Sequence, residues 1–358
     1  METTIPQPPT PSRVRIAIDA MGGDHAPRNE VEAALQAVRS ADVTVTLVGR
    51  TQEIMEHVPN GRLPDTITIV HADDVVSMSD EPSTIVKSRK ESSLYKAVDL
   101  MRNGNVDAVV SAGNTGAVMA TATMMCGRLP GVSRPTIGSF FPTQRERPTL
   151  VVDVGANVDS KPRFLHDYAV MGSVYYAHIV GTPMPTVGLL SVGEEREKGN
   201  AVTKETYTLL ERAPIRFVGN VEGRDILKGT VDVVVCDGFE GNIVLKFAES
   251  VIGFLKHRFV SYARTGVLPA VSMALMRPIL RKVLSGMDYQ DYGGVPLLGV
   301  NGVVIIGHGS SSSKALLNML RRAEEVVRAD VNTHIQAALQ AELQSGVPPE
   351  TTTENTTA

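Results

Sequence analysis

Six short apolar runs punctuate the chain, and each ends in a small cluster of Gly with Asp, Asn, His or Ser. They occupy residues 16–24, 109–116, 150–157, 217–223, 233–242 and 303–311. A continuous β-branched run predicts a strand buried on both faces, as in a parallel sheet. The glycines that follow let the backbone turn sharply or approach a ligand closely. Ligands of open parallel sheets bind at the carboxyl ends of the strands. The pattern therefore predicts that the polar residues of several loops converge on one site.

Between these runs, strand-like and helix-like segments alternate, which predicts an α/β fold. Residues 29–39 place Val31, Ala34, Leu35 and Val38 on one helical face. Residues 43–48, 66–71 and 186–191 read as strands, and 84–101 as one helix with alternating charges. Asn114 suits the N-cap of a further helix. Residues 136–141 and 149–154 flank a polar turn and predict a β-hairpin. Residues 314–341 are helical, as one helix or two. The ends, 1–12 and 345–358, are polar and rich in Pro or Thr, so they read as disordered tails around one α/β unit, 13–344.

Bulk composition narrows the class. The 358 residues are 42% apolar and 21% charged, with a net charge of −4. That is a soluble globular profile with no electrostatic footprint for nucleic acid. Two cysteines, Cys126 and Cys236, make neither a disulfide framework nor a zinc cluster. No signal peptide and no apolar stretch of membrane-spanning length is evident, which predicts a cytoplasmic protein.

One segment departs from this balance. Residues 246–285 carry seven Lys or Arg against Glu249 alone, a local net charge of +6. Val244, Ala248, Val251, Leu255, Phe259 and Tyr262 share a helical face, and 265–276 contains no charge. Pro269 and Pro278 are expected to interrupt its second half. Two readings fit this helical hairpin. It packs on a neighbouring subunit, or it is a basic amphipathic element that meets an anionic membrane or an acidic carrier protein through residues such as Arg264, Leu268, Val271 and Arg277.

Three strand-end loops carry the candidate chemistry. Gly113, Asn114, Thr115 and Gly116 open a helix whose N-terminus can hold an anion such as phosphate, or simply form an Asn-capped turn. His308, Gly309, Ser310 and Lys314 repeat that design with flanking glycines and hydroxyls. In the third loop Asp237 can orient a donor, act as a base or only cap a helix, while Asn242 and Lys246 follow on the next turns. Cys236 ends an apolar strand, so an inert buried thiol outweighs a covalent nucleophile. The charge run Glu194, Glu195, Arg196, Glu197 and Lys198 reads as a solvated helix start or as paired carboxylates. No Gly-x-Ser-x-Gly elbow, P-loop or His-Glu-x-x-His is present, and no Asp/Glu/His group has the spacing of a metal site. Neither metal nor cofactor is expected.

The same loops resemble the acyl-(acyl-carrier-protein):phosphate acyltransferases of bacterial phospholipid synthesis, the PlsX family. The matching stretches run in family order: 19–27, 111–117, 153–157, 193–200, 219–225, 237–242, 292–299 and 307–311. Within them Asp19, Asp24, Asn157, Glu195, Asn220 and Glu222 become further site candidates. The resemblance implies a three-layer α/β/α fold of the isocitrate/isopropylmalate-dehydrogenase kind, related to phosphotransacetylases, and a homodimer. It implies transfer of a fatty acyl group from acyl carrier protein to inorganic phosphate. The acyl phosphate would then go to a membrane glycerol-3-phosphate acyltransferase, which places the enzyme peripherally on the membrane. In that reaction phosphate is the nucleophile. Asn114, Thr115 and the Gly113 and Gly116 backbone would hold it, with His308, Gly309 and Ser310 on the other side. Asn242 or backbone N–H groups would stabilise the oxyanion, and Lys246 or Lys198 the departing thiolate. The alternatives are a phosphotransacetylase acting on coenzyme A thioesters, a metal-dependent hydroxy-acid dehydrogenase and a non-catalytic lipid-binding module.

Overall fold

The computed structural model describes residues 13–284 and 292–344. Both expected tails and Ser285, the last residue of the basic segment, lie outside the described residues. The chain runs β1 (Val14–Asp19), α1 (Arg28–Ser40), β2 (Val43–Gly49), α2 (Thr51–Glu56), β3 (Ile67–His71), α3 (Ile85–Ser88), α4 (Ser93–Arg102), β4 (Ala108–Ser111) and α5 (Thr115–Cys126). A hairpin of β5 (Thr136–Phe141) and β6 (Thr149–Val152) follows, then α6 (Pro162–Val180), β7 (Thr186–Leu190), α7 (Ala201–Leu210), β8 (Arg216–Val221), α8 (Gly223–Lys228) and β9 (Val233–Val235). Beyond these come α9 (Gly238–Ala263), α10 (Val267–Leu284), β10 (Val295–Leu298), β11 (Val303–Ile306), α11 (Ser313–Arg328) and α12 (Val331–Gln344).

The described strands form one eleven-stranded sheet in the order β3-β2-β1-β4-β11-β10-β5-β6-β9-β7-β8. Alternation along each central strand divides the apolar side chains between two cores. Ile16 and Ile18 face one core and Ala17 the other, and Val233 and Val235 are split from Val234 in the same way. Helices α1, α6, α11 and α12 close the first core through residues such as Leu35, Tyr168, Leu316 and Ile335. Helices α4, α5 and α8 close the second through Val98, Val118 and Ile226. Sheet between two helical layers is the three-layer α/β/α arrangement.

The sheet is mixed, and this corrects the expectation of a single converging edge. β3, β2, β1, β4 and β11 run parallel to one another, as do β6, β9, β7 and β8. Between the two blocks, β10 is antiparallel to β11 and to β5, and β5 is antiparallel to β6. The blocks therefore point in opposite directions, and the six loops do not all meet.

Two local differences have simple causes. The helix expected over 84–101 breaks between α3 and α4. There Arg89 bridges Asp74 and Asp80, and Ser92 caps α4 by accepting the Tyr95 N–H at 3.2 Å. In the basic segment Pro269 falls in the first turn of α10, where its missing N–H is not needed, and Pro278 lies inside that helix without ending it. α9 and α10 contact one another, and most of their surface is exposed: Val267 and Leu268 are each 81% accessible.

Candidate active site

β11 lies beside β4 in register, with Ile306 opposite Ser111, although nearly 200 residues separate them in the chain. Their following loops therefore touch, and Gly307 N–H donates to Ser111 O at 2.8 Å. This brings His308 and Ser311 beside Thr115, at the start of α5. From the other block come Gly155, in the loop after β6, and Asn242 and Lys246 on the first turns of α9. Together they line one cavity of about 240 Å³.

Its floor is two helix starts and a histidine. The first N–H groups of α5 have no partner within the helix and carry the positive end of its dipole, so they suit an anion. Asn114 is the N-cap: its side-chain oxygen accepts from Ala117 N–H at 3.1 Å, and its amide donates to Met78 O at 3.1 Å. Its side chain is thus turned to the helix and the 77–80 loop, which leaves Thr115 as the α5 side chain lining the cavity. His308 Nδ1 accepts the Ser310 N–H at 3.3 Å and sits 2.8 Å from Ser310 Oγ. A backbone N–H can only donate, so the neutral ring carries its proton on Nε2 and offers a donor.

The loop after β1 supports this floor from behind. Asp24 N–H donates to Gly309 O at 2.8 Å, and Asn29 donates to Ser311 O at 3.0 Å. Buried Asp19 accepts the Ser111 hydroxyl at 2.8 Å. A Cβ at Gly22 would lie 2.6 Å from Asp19 Oδ2 and 2.9 Å from Gly113 N, so only glycine lets these two loops meet. Behind Gly23 lies Glu30, 1% exposed, with Oε2 lacking a hydrogen-bond partner.

Burial, reinforced by the Asp19 charge, pushes the Glu30 carboxyl from its ordinary 4.5 up to about 8. Folded protein thus holds a proton that the unfolded chain has released throughout that interval. Stability should therefore fall as pH rises from about 4.5 to 8 and level off beyond. Glu30→Gln should match wild type at pH 4 and exceed it at pH 9 by up to about 5 kcal/mol. Denaturant unfolding at the two pH values measures this. Equal stability of the two proteins at pH 9 would show that the Glu30 charge is tolerated.

A second buried carboxylate shapes the wall. Asp153 accepts N–H groups from Gly155, Ala156 and Asn157 and the Asn157 amide, at 2.7–2.9 Å. Asn157 also donates to Pro135 O, so it is a loop-fixing residue. Asn242 packs over Gly155, where a Cβ would lie 3.3 Å from the Asn242 side chain and where φ is +128°.

Other sequence candidates lie away from this cavity. Asp237 caps α9 by accepting Phe239 N–H at 2.8 Å, and its second oxygen accepts Ser160 N–H at 2.7 Å. It lines a separate cavity of about 250 Å³ with Asp159 and Glu240. Glu222 caps α8 and pairs with Arg224 at 3.0 Å, while Asn220 donates to Glu195 O at 2.8 Å. Lys198 packs against Gly193 in the same neighbourhood, and none of these four lines the first cavity. The Cys236 thiol donates to Asp153 O, and burial pushes its pKa up, which keeps it protonated. Among the described residues, no group of three or more His, Cys, Asp or Glu can hold a metal ion.

Sequence reasoning missed Ser139, Gly155, Glu249 and Tyr292 as lining residues. Ser139 did carry a signal: it is a hydroxyl in the middle of β5, between Ile137 and Phe140. Gly155 and Tyr292 lie in the family-matching stretches 153–157 and 292–299, whereas Glu249 carried no signal, because its place depends on how α9 packs.

A family model described as "Fatty acid synthesis protein" matches residues 14–334. A phosphate acyltransferase of Dictyoglomus turgidum is 43% identical over 328 residues, 91% of this chain and 98% of that protein. One from Brevibacillus brevis is 46% identical over 332 residues, with the same coverage of 91% and 98%. Among solved structures, the EutD phosphotransacetylase from Staphylococcus aureus superposes with a TM-score of 0.58 at 18% identity, over 89% of this chain and 94% of that one. A branched-chain phosphotransacylase from Enterococcus faecalis does so with a TM-score of 0.56 at 15% identity, over 88% and 99%. At such identity the structural likeness concerns the fold, and it matches the expected kinship with phosphotransacetylases.

Proposed function

The chain belongs to the fatty acid synthesis protein family, is an enzyme of the phosphate acyltransferase kind, and on that premise we propose that it moves a fatty acyl group from acyl carrier protein to inorganic phosphate. The observation that carries this reading is the make-up of the cavity. An anion-binding helix start, a histidine donor, an amide and a lysine converge there, and neither cysteine lines it. Phosphate supplies the nucleophile that the protein does not.

A phosphate oxygen attacks the thioester carbonyl carbon and forms the new C–O bond. The carbonyl electron pair moves onto oxygen and then returns as the C–S bond breaks. The carrier leaves as a thiolate and takes up a proton. Thr115, the backbone at the start of α5 and His308 Nε2–H hold phosphate. Asn242 donates to the oxyanion. Lys246 neutralises the leaving sulfur, a role that Lys198, outside the cavity, is not placed to share. A thioester is already activated, so positioning and charge stabilisation account for most of the acceleration.

The test is phosphate-dependent release of carrier thiol from palmitoyl-carrier protein, run beside palmitoyl-coenzyme A. Faster release from the carrier substrate, with acyl phosphate as product, is expected. Release from the coenzyme A substrate alone would replace this reading with a phosphotransacetylase. No phosphate-dependent release from either would overturn both.

The exposed hairpin fits the same reading. Residues 13–344 act as one catalytic unit, and a pair of such units forms the homodimer. Arg264 and Arg277 are exposed on the α9–α10 hairpin near Leu268 and Val271, which suits both an acidic carrier and an anionic lipid surface. No helix among the described residues is long and apolar enough to cross a membrane. In this reading the contact is peripheral, from the cytoplasmic side, and delivers acyl phosphate to the membrane glycerol-3-phosphate acyltransferase for phospholipid synthesis. Replacing Leu268 and Val271 together with Asp should weaken binding to vesicles of anionic phospholipid by at least about tenfold in a sedimentation assay. Unchanged binding would assign the hairpin to subunit packing.

A further inference from the structure

A third, larger cavity of about 360 Å³ lies along the opposite flank of α9, between that helix, the end of β5 and α8. Its walls include Phe140, Phe141, Ile226, Val244, Ala248 and Val251. Only two of its lining residues carry polar side chains, Ser139 and Glu249. Those two, with Leu245, also line the reaction cavity, so the polar groups stand at the junction and the remainder is hydrocarbon. At that junction Glu249 is held by Lys246 at 2.9 Å, which turns its charge toward the reaction side. The far rim is open, with Leu227 51% and Phe247 68% exposed.

An occupant of this groove meets no hydrogen-bond partner beyond the junction, so it must itself be apolar over that length. It must also be narrow, and one end must reach the cavity where phosphate is held. The geometry points to the acyl chain of the substrate: the groove is the channel that accepts its methylenes while the thioester carbonyl rests at Asn242 and Lys246. This rests on the function proposed above and adds to it the place of the acyl chain, between α9, α8 and the end of β5, and hence the residues that set its length. It also gives Ser139, Leu245 and Glu249 a positioning role, setting where polar chemistry ends and the hydrocarbon begins.

The test fills the groove and reads chain length. Ala248→Phe puts a ring into the channel, and Leu227→Trp narrows its exposed rim without disturbing a buried residue. The quantity measured is the ratio of kcat/KM for palmitoyl-carrier protein to that for butyryl-carrier protein. Ala248→Phe should lower this ratio at least about tenfold, because several methylenes lose their site. Leu227→Trp should move it in the same direction. A loss of folding or of general activity would move both substrates together, and an unchanged ratio in both variants overturns the proposal. Binding of a fluorescent polyunsaturated fatty acid, cis-parinaric acid, separates this from the catalytic reading. Saturable binding to the wild-type protein that Ala248→Phe abolishes supports the groove even if no acyl phosphate is made. Equal binding by both overturns it even if acyl phosphate is made.

Discussion

Replacing His308 with Ala should lower phosphate-dependent thiol release by roughly 10²–10³-fold, the range for removing one preorganised donor from a developing charge. Its melting temperature should stay within a few degrees of wild type. The two expectations have one structural source. His308 is exposed on a strand-end loop, so truncation leaves no cavity in either core. Its Nδ1 is held by Ser310, which fixes the ring plane and places the proton of the neutral ring on Nε2, and the residue lines the cavity. The loop does not depend on the ring, because Asp24 N–H and the Asn29 amide hold it through backbone carbonyls. His308→Gln keeps a donor of similar reach and should recover part of the rate. Turnover in His308→Ala equal to wild type would remove this residue from the mechanism and leave phosphate to the helix start of α5 and Thr115.

Most of the strands were legible because their burial is two-sided; β8, at the edge of the sheet with Arg216 and Val218 exposed, departs from the expected burial on both faces. A β-branched run such as Val233–Val235 reads as a strand whatever surrounds it, and all six runs became strands. The helix starts were legible because caps are local: Asn114, Asp237 and Ser312 each accept an N–H two or three residues ahead. The reversal between β5 and β6 was legible as the hairpin over 136–141 and 149–154. The reversal at β10 was not: β10 is four residues long, and its antiparallel pairing with β11 and β5 is fixed by packing across the whole chain rather than by its own residues. That reversal decides which candidates meet. It brings Asn242 and Lys246 to His308 and leaves Asp237, Asn220 and Lys198 elsewhere. A polar residue in a strand-end loop thus signals only that the loop is special. Whether its side chain faces a ligand or fastens the loop, as Asn157 and Asn114 do, is settled by where the neighbouring loop lies.

Gly241→Ala should be the most damaging small substitution in the molecule, both to stability and to catalysis. The first turn of α9 sits backbone against backbone on the 153–157 loop. A Cβ at Gly241 would lie 1.8 Å from Asp153 O, and one at Gly238 would lie 2.5 Å from Asn157 O. An ordinary C···O approach is about 3.3 Å, so the helix would have to lift by more than 1 Å. The loop cannot give way instead, because the buried Asp153 carboxylate ties three of its N–H groups in place. Overpacking of this kind costs about 3 kcal/mol and should lower the melting temperature by roughly 5 °C or more. Asn242 is the next residue and Lys246 is little more than a turn further on, so both move with the helix. A displacement of that size can cost about 10²-fold in rate. Gly253→Ala is the matched control on the same helix: nothing lies within 4 Å of its Cβ position. There the helix gains propensity, by up to about 1 kcal/mol, and activity should be unaffected. If Gly241→Ala behaved like Gly253→Ala in melting and turnover, the close seating of α9 on the loop, and with it the placement of Asn242 and Lys246 at the reaction cavity, would be refuted.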